Sequence, residues 1–394
     1  MQPQVGAAAE GTAGGFCRVE RWPIAPTGTT QLYIEPQSLF QVGSRWVVAG
    51  VPSMRWELDF IPTPTMRTRG EYVGATLGPG ASIPFENPID GHLQVVRGVA
   101  LEGERWGALL AEYESEDFPD TGRLLAVHYL EHDGRAWSAA QTLPLPDEGE
   151  LRPLESSTLV RVGDRLLWAV PLGLDSDESP LVLYERVDGR WSRRIVVGSF
   201  VEGVDLGWDG ETPWLVVAGP DLAAPVWERT IRLYRELEGE WGLVRRVWTA
   251  PDETLVYELR LTALASGATV TWRAVGPASQ EAMAWVGVRG DQAGTLVVLD
   301  EYALQAAPLA MLDGTPAWLV HRVSPITGQH ELRLVKEERG SPVRVAGLPN
   351  PFVAFYIART TPSGQILAVG PEYDPDPARP TVRSLTLRLS IACD

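Results

Sequence analysis

The hydrophobic positions of this chain follow one phrase that recurs seven times. In each copy a short apolar run leads into a glycine-bearing turn, and a second apolar run, opened in most copies by tryptophan, follows it. The copies are centred on Gly43, Gly103, Gly163, Gly210, Gly267, Gly314 and Gly364. Because glycine readily adopts the positive φ that tight turns need, each copy predicts two antiparallel strands joined by a turn.

The spacing of these glycines indicates a repeat protein. Successive glycines of the set lie 47 to 60 residues apart, which is the range of four-stranded repeat units. Turn formers are abundant, with 39 Gly and 32 Pro, and no long segment shows the 3.6-residue periodicity of a helix. These patterns predict an all-β protein.

A second hairpin follows the repeated phrase in three copies. Asp-Gly or Glu-Gly forms its turn, and Trp137, Trp191 and Trp241 occupy equivalent places after that turn. When the end of the chain is aligned on this hairpin, LTLRLSIACD supplies its first strand and CRVERWPIAP, near the N-terminus, supplies its second. We therefore expect the N-terminal strand to complete the last repeat.

Seven four-stranded repeats closed in this way resemble a seven-bladed β-propeller. The resemblance implies a ring of sheets in which the first strand of each blade is innermost. The strings at Asp133 and Asp188, DGRAWS and DGRWS, also resemble the Asp-box turns of sialidase-like propellers, which are structural and bear on the fold alone. We expect a flexible tether over residues 1–14 and one propeller domain over 15–394.

The two cysteines lie in the two segments that share the last blade. A disulfide between Cys17 and Cys393 would replace the missing covalent link of that hairpin, whereas two unrelated free thiols are the alternative. Closing so long a loop would stabilise the fold by roughly 5 kcal/mol in the chain-entropy model. A disulfide favours an oxidising compartment, so we expect an extracellular, periplasmic or envelope-associated protein with a lipid or linker attachment as an option.

The charge and the motifs restrict the partners. A formal net charge of −17 and a pI of about 4.8 oppose binding to nucleic acid and to anionic membranes, and no apolar run is long enough for a transmembrane segment. No cofactor fingerprint is present. Asp175 and Asp177 alternate in one acidic loop and are weak candidates for calcium, with a solvated surface as the alternative.

The irregular segment 52–91 is the best candidate for a binding site. It contains residue types that recognition surfaces favour, and we expect a protein or glycan to contact Trp56, Arg67, Arg69, Tyr72 and Glu86. Phe85 is a further residue of this kind in the segment. The alternative is a long loop that covers the top of the first blade's core, with its aromatic side chains pointing inward. For His128 and His132 we expect a packing role in preference to metal binding.

Two functions remain open at this point. The first is a binding module that presents an acidic face to a protein, a glycan or a cation. The second is a carbohydrate-active enzyme, a glycoside hydrolase or lyase, in which carboxylates near the starts of the innermost strands act as a general acid and base. The carboxylates concerned are Glu155, Asp205 and Glu258. The sequence defines neither the ligand nor the oligomeric state.

Overall fold

The computed structural model of the 394-residue chain describes most of the β-strands and the shorter turns between them. The described residues are 4–5, 18–24, 35–51, 72–78, 83–89, 92–114, 123–146, 150–151, 157–173, 180–198, 200–220, 228–250, 254–264, 267–276, 281–289, 292–294, 296–300, 302–310, 314–339, 341–352, 356–374 and 381–390. Within these ranges all regular secondary structure is β-strand.

The strands are numbered in chain order. The first fifteen are β1 (Gln4–Val5), β2 (Arg18–Pro23), β3 (Glu35–Val42), β4 (Arg45–Val51), β5 (Tyr72–Leu77), β6 (Pro84–Glu86), β7 (His92–Ala100), β8 (Trp106–Tyr113), β9 (Leu124–His132), β10 (Gln141–Thr142), β11 (Glu150–Leu151), β12 (Thr158–Val162), β13 (Arg165–Gly173), β14 (Leu181–Val187) and β15 (Arg190–Val197). The others are β16 (Gly203–Trp208), β17 (Pro213–Pro220), β18 (Arg229–Leu237), β19 (Glu240–Thr249), β20 (Leu255–Leu264), β21 (Gly267–Val275), β22 (Glu281–Arg289), β23 (Gln292–Ala293), β24 (Val297–Asp300), β25 (Ala303–Ala310), β26 (Pro316–Val323), β27 (His330–Glu338), β28 (Ser341–Pro349), β29 (Ile357–Thr360), β30 (Ile366–Asp374) and β31 (Thr381–Ser390).

These strands form seven antiparallel, four-stranded blades arranged as a β-propeller, as the repeats predicted. In chain order the blades are β3 to β6, β7 to β10, β12 to β15, β16 to β19, β20 to β22 with β24, β25 to β28, and β29 to β31 with β2. The chain divides into two compact units, residues 1–143 with 351–394 and residues 144–350. The first unit holds blades 1, 2 and 7, and the second holds blades 3 to 6.

The N-terminal strand completes blade 7, which confirms the expected closure. Strand β2 pairs antiparallel with β31, with Val19 opposite Leu389 and Trp22 opposite Thr386. The short strand β1 adds to the free edge of β2, so two residues of the predicted tether are in a strand. Cys17 and Cys393 lie outside the described residues, and the disulfide stays a prediction.

Tryptophan side chains fill the space between neighbouring blades within each unit. Trp106, Trp168, Trp272 and Trp318 are fully buried. In the second unit Trp318 of blade 6 lies 4.9 Å, centroid to centroid, from Trp285 of blade 5, and its indole N–H donates to Thr271 Oγ1 at 2.9 Å. A large ring therefore packs blade 6 against blade 5, which is a physical reason for the tryptophan in the repeated phrase.

The outer hairpins have the turn geometry that their sequence predicts. In blade 3 Asp188 and Gly189 both have positive φ, at 49° and 78°, and in blade 4 Glu238 and Gly239 do so at 52° and 85°. Two successive left-handed residues define a two-residue type I′ hairpin, whose twist matches that of the flanking strands.

A different turn, between β16 and β17 in blade 4, depends on one carboxylate. Asp209 Oδ1 accepts hydrogen bonds from the N–H groups of Glu211 and Thr212 at 2.8 and 2.7 Å, and Oδ2 accepts from Trp214 Nε1 at 2.8 Å. Burial alone would raise the pKa of Asp209, but the bonds from Trp214 and the backbone outweigh it and the pKa lies below its ordinary value.

Replacing Asp209 by alanine should lower the free energy of unfolding by about 1.5 to 3 kcal/mol at pH 7, because charge-assisted hydrogen bonds are lost. The folded-state pKa is lower than the unfolded one, so this stabilisation is present above the unfolded pKa of about 4 and disappears as the pH falls through the folded value. Melting curves of wild type and variant should therefore converge in acid. The exposed Asp164, replaced in the same way, is the control, and a pH-independent difference would contradict the assignment.

Candidate functional site

The start of strand β20, in blade 5, contains a strained carboxylate. A β-bulge interrupts the pairing of β20 with β21 between Tyr257 and Arg260, so that Glu258 and Leu259 together face one residue of the neighbouring strand, Trp272. Glu258 has a φ of +50°, a conformation that costs a residue with a side chain of the order of 1 to 3 kcal/mol. Bulges and strained residues concentrate at functional sites, where they aim a side chain.

Tyr257 and Arg273 lie beside Glu258, and we call these three residues the Glu258 cluster. Glu258 Oε1 lies 3.6 Å from Arg273 Nη1, and the guanidinium carbon of Arg273 lies 5.4 Å from the centre of the Tyr257 ring. The Glu258 and Arg273 side chains are 13% and 21% exposed, whereas Tyr257 is 43% exposed. The cluster therefore presents a partly exposed tyrosine next to an ion pair whose two carboxylate oxygens are buried.

Strand β25 of the next blade holds Arg273 in place. Arg273 Nη1 donates to the Leu304 carbonyl at 3.0 Å, and Leu304 occupies a second bulge, between Ala303 and Gln305 at the start of β25. Since Tyr257 pairs directly with Arg273 across the two strands of blade 5, backbone register and this hydrogen bond both orient the guanidinium. The arrangement is supported by rigid strands and not by loops.

Asp205, another of the predicted carboxylates, links three blades. Its Oδ1 accepts from Thr158 Oγ1 at 2.8 Å and from its neighbour's backbone, Leu206 N, at 3.0 Å. Its Oδ2 accepts from Leu261 N at 2.8 Å. Strands β12, β16 and β20, the first strands of blades 3, 4 and 5, are thus joined by one side chain. These contacts give Asp205 a structural role, and the described contacts place no ion pair on it.

Several predicted site residues lie outside the described residues, so the structure does not test them. They are Glu155, Trp56, Arg67, Arg69, Asp175 and Asp177. In segment 52–91 the backbones of Tyr72 and Glu86 pair across β5 and β6, and the exposed Glu86 offers its carbonyl to Trp137 Nε1 at 3.0 Å. Phe85 points inward, with its ring 5.0 Å from that of Trp106, as the alternative interpretation of this segment expected.

The histidines of blade 2 are packed and hydrogen-bonded. His128 Nε2 lies 2.8 Å from Glu112 Oε2, and its Nδ1 lies 3.1 Å from Thr142 Oγ1. His132 is buried between Phe85 and Trp137, and burial lowers its pKa. In the described part of the chain, no three His, Cys, Asp or Glu side chains come together as a metal site would require.

Sequence reasoning missed a histidine pair in blade 6. His321 Nε2 lies 2.8 Å from His330 Nδ1, although the two residues looked isolated along the chain. Burial, and then the neighbouring His330, lowers the pKa of His321 to about 4, so this imidazole is neutral at pH 7. The signal that could have found the pair is positional, because one histidine ends a predicted second strand and the other begins the third.

Comparisons with known proteins support the fold and do not name a family. No protein family model matches the chain, and no curated protein matches it. Among solved structures it is similar to the polysaccharide lyase Uly1, with a TM-score of 0.57, 11% identity, and coverage of 98% of this chain and 94% of the lyase. It is also similar to a Trypanosoma rangeli sialidase, with a TM-score of 0.41, 12% identity, and coverage of 72% and 52%.

A third similar structure is a Penicillium chrysogenum α-L-arabinanase, with a TM-score of 0.41, 12% identity, and coverage of 54% of this chain and 74% of the arabinanase. The propeller fold thus has carbohydrate-active enzymes among its structural neighbours. At such low identity these likenesses concern the fold alone. As for membranes, a search of the described residues finds no helix that could span a bilayer.

Proposed function

We propose that the protein binds a carbohydrate at the Glu258 cluster. The observation that supports this most strongly is the strained backbone of Glu258 at the start of a first strand, which places its carboxylate beside Arg273, whose guanidinium lies over the Tyr257 ring. A tyrosine ring can pack on the apolar face of a sugar, while a carboxylate and a guanidinium accept from and donate to its hydroxyl groups. The three residue types thus fit one sugar unit.

Two further considerations favour a carbohydrate over other ligands. One structure that aligns with nearly the whole of this chain is that of a polysaccharide lyase, although this likeness bears on the fold. The net charge of −17 disfavours nucleic acid, which the cluster's single arginine would not offset. A carbohydrate ligand also accords with the extracellular or envelope location that we expect from the predicted disulfide.

A second candidate function, cleavage of the bound carbohydrate, is favoured by the strain at Glu258. A carboxylate held in a costly conformation next to an arginine could exchange a proton with a glycosidic oxygen or a sugar carbon. A hydrolase would need a second carboxylate about 5 to 10 Å away, and our prediction for it, Glu155, lies outside the described residues. A lyase would instead use Arg273 to neutralise a sugar carboxylate.

Carbohydrate binding can be tested with a panel of neutral and acidic polysaccharides and their oligosaccharides. We expect at least one of them to bind the wild type in isothermal titration calorimetry, and we expect Tyr257→Ala to weaken that binding about tenfold or more, because the stacking surface is lost. The exposed Trp208, at the other end of its strand, provides the matched aromatic control. Binding that Trp208→Ala weakens and Tyr257→Ala leaves unchanged would contradict the site.

A further inference from the structure

Blade 6 contains a pair of imidazoles that the carbohydrate proposal does not use. His321 is in β26 and His330 begins β27. In the register of these strands His330 lies opposite Val323, two residues beyond His321, so both histidines project from the same face as diagonal neighbours. The ring nitrogens that face each other, His321 Nε2 and His330 Nδ1, are 2.8 Å apart, and the ring centroids are 5.1 Å apart.

We infer that His321 and His330 together bind a divalent transition-metal ion such as Zn²⁺, Ni²⁺ or Cu²⁺. Imidazole nitrogen is a preferred ligand for these ions, and each neutral ring has one lone pair for this purpose. At Zn–N distances of about 2.0 to 2.1 Å, tetrahedral coordination separates two nitrogens by about 3.3 Å. The facing nitrogens therefore need to separate by about half an ångström, and the rings need to turn so that their lone pairs converge on the ion. The ring that donates the hydrogen bond changes tautomer in this step: its facing nitrogen loses the hydrogen to solvent and its other nitrogen takes one up, so both rings stay neutral.

The surroundings hold one histidine in place and leave the other accessible. His321 is only 7% exposed, whereas His330 is exposed at the edge of the connecting turn and has room to move. That turn is closed by hydrogen bonds from Ser324 N to the Gln329 carbonyl and from Gly328 N to the Ser324 carbonyl, both 2.8 Å long. The site is thus preorganised on the protein side, and water would complete the coordination on the exposed side.

This pair differs from His128, a hydrogen-bonded histidine of blade 2. His128 has Glu112 on one ring nitrogen and Thr142 on the other, so an ion would have to displace one of these partners. At blade 6 the two nitrogens face each other, and an ion displaces only the hydrogen bond between the two rings. His128 is therefore a suitable control, because it is also a hydrogen-bonded histidine on the third strand of a blade, with a side chain that is 12% exposed.

The test uses tag-free full-length protein and the metal salts alone. Isothermal titration calorimetry with ZnCl₂ or NiCl₂ should give one saturable site, with Cu²⁺ binding more tightly than either. His330→Gln should weaken this binding at least about tenfold, since one of two protein ligands is lost, while His128→Gln should leave it unchanged. His330 is exposed, so its variant is expected to fold.

A second measurement distinguishes metal binding at this histidine pair from metal binding at surface carboxylates. Replacing Zn²⁺ by Co²⁺ should give visible absorption bands of nitrogen-coordinated cobalt in the wild type and not in His330→Gln. The inference would be overturned if no ion binds at millimolar concentration, if His330→Gln binds as well as the wild type, or if His128→Gln loses as much affinity. None of these results bears on carbohydrate binding at the Glu258 cluster.

Discussion

Replacing Glu236 by glutamine is expected to destabilise the protein by about 3 kcal/mol. The Glu236 side chain is only 4% exposed and lies between two arginines of blade 3. Arg165 Nη2 donates to Glu236 Oε2 at 2.7 Å, and Arg194 Nη2 lies 3.4 Å from Oε1. Removing one partner from a buried ion pair costs about 3 to 5 kcal/mol, because the remaining charges stay desolvated, and the lower value applies here since both arginines are about one-third exposed.

The effect should appear as a decrease of several degrees in the melting temperature. Glu240→Gln, four residues further along and exposed, is the control and should melt within about a degree of the wild type. Arg165 also contacts Glu185 at 2.6 Å, so Glu185→Gln should have a smaller effect than Glu236→Gln. Equal melting temperatures for Glu236→Gln and wild type would show that this network between blades 3 and 4 contributes little.

The second large effect concerns cleavage, the second candidate function. If the wild type cleaves a polysaccharide of the panel, Glu258→Gln should lower the rate by about 10² to 10⁴, the usual contribution of a general acid or base. The variant should melt at most a few degrees below the wild type, because the pair with Arg273, at 3.6 Å, is longer than the 2.7 Å contact that Glu236 makes with Arg165. Release of reducing ends measures total cleavage, and ultraviolet absorbance of an unsaturated sugar identifies elimination in place of hydrolysis.

A matched control for this experiment lies at the beginning of blade 4. Glu202 also forms an ion pair with an arginine, 2.7 Å from Arg229 Nε, but its backbone is not in the left-handed region. Glu202→Gln should therefore retain the wild-type rate. Cleavage that survives in Glu258→Gln, or that is lost equally in Glu202→Gln, would exclude Glu258 as the catalytic carboxylate while leaving the binding proposal to its own test.

The fold could be predicted from the sequence because the residue patterns that specify it are local and repeated. Turn glycines, Asp-Gly and Glu-Gly hairpins, and a tryptophan in most of the phrases specify strands and their order without reference to distant contacts. Even the long-range pairing of β2 with β31 could be predicted, since the last repeat lacked a strand of known pattern. The exact pairing of the short strands β1, β11 and β23 was not predicted, because two residues carry too little pattern.

The candidate site was predicted only in part. Glu258 was identified as a carboxylate at the start of a first strand, but its partners Tyr257 and Arg273 were not, because a bulge between Tyr257 and Arg260 determines where they meet. Bulges shift the register and have no clear signature in this sequence. Asp205 satisfied the same sequence criterion as Glu258, yet its oxygens are occupied by hydrogen bonds from neighbouring strands. Position along a strand therefore cannot separate a carboxylate that links strands through hydrogen bonds from one that is paired with an arginine.

The most direct test of carbohydrate binding is a crystal structure of the protein with the oligosaccharide that binds best in calorimetry. We predict a sugar ring packed on Tyr257, with hydroxyl or carboxyl oxygens within hydrogen-bonding distance of Arg273 and Glu258. An oligosaccharide bound elsewhere on the protein, with these three side chains uncontacted, would contradict the proposed function.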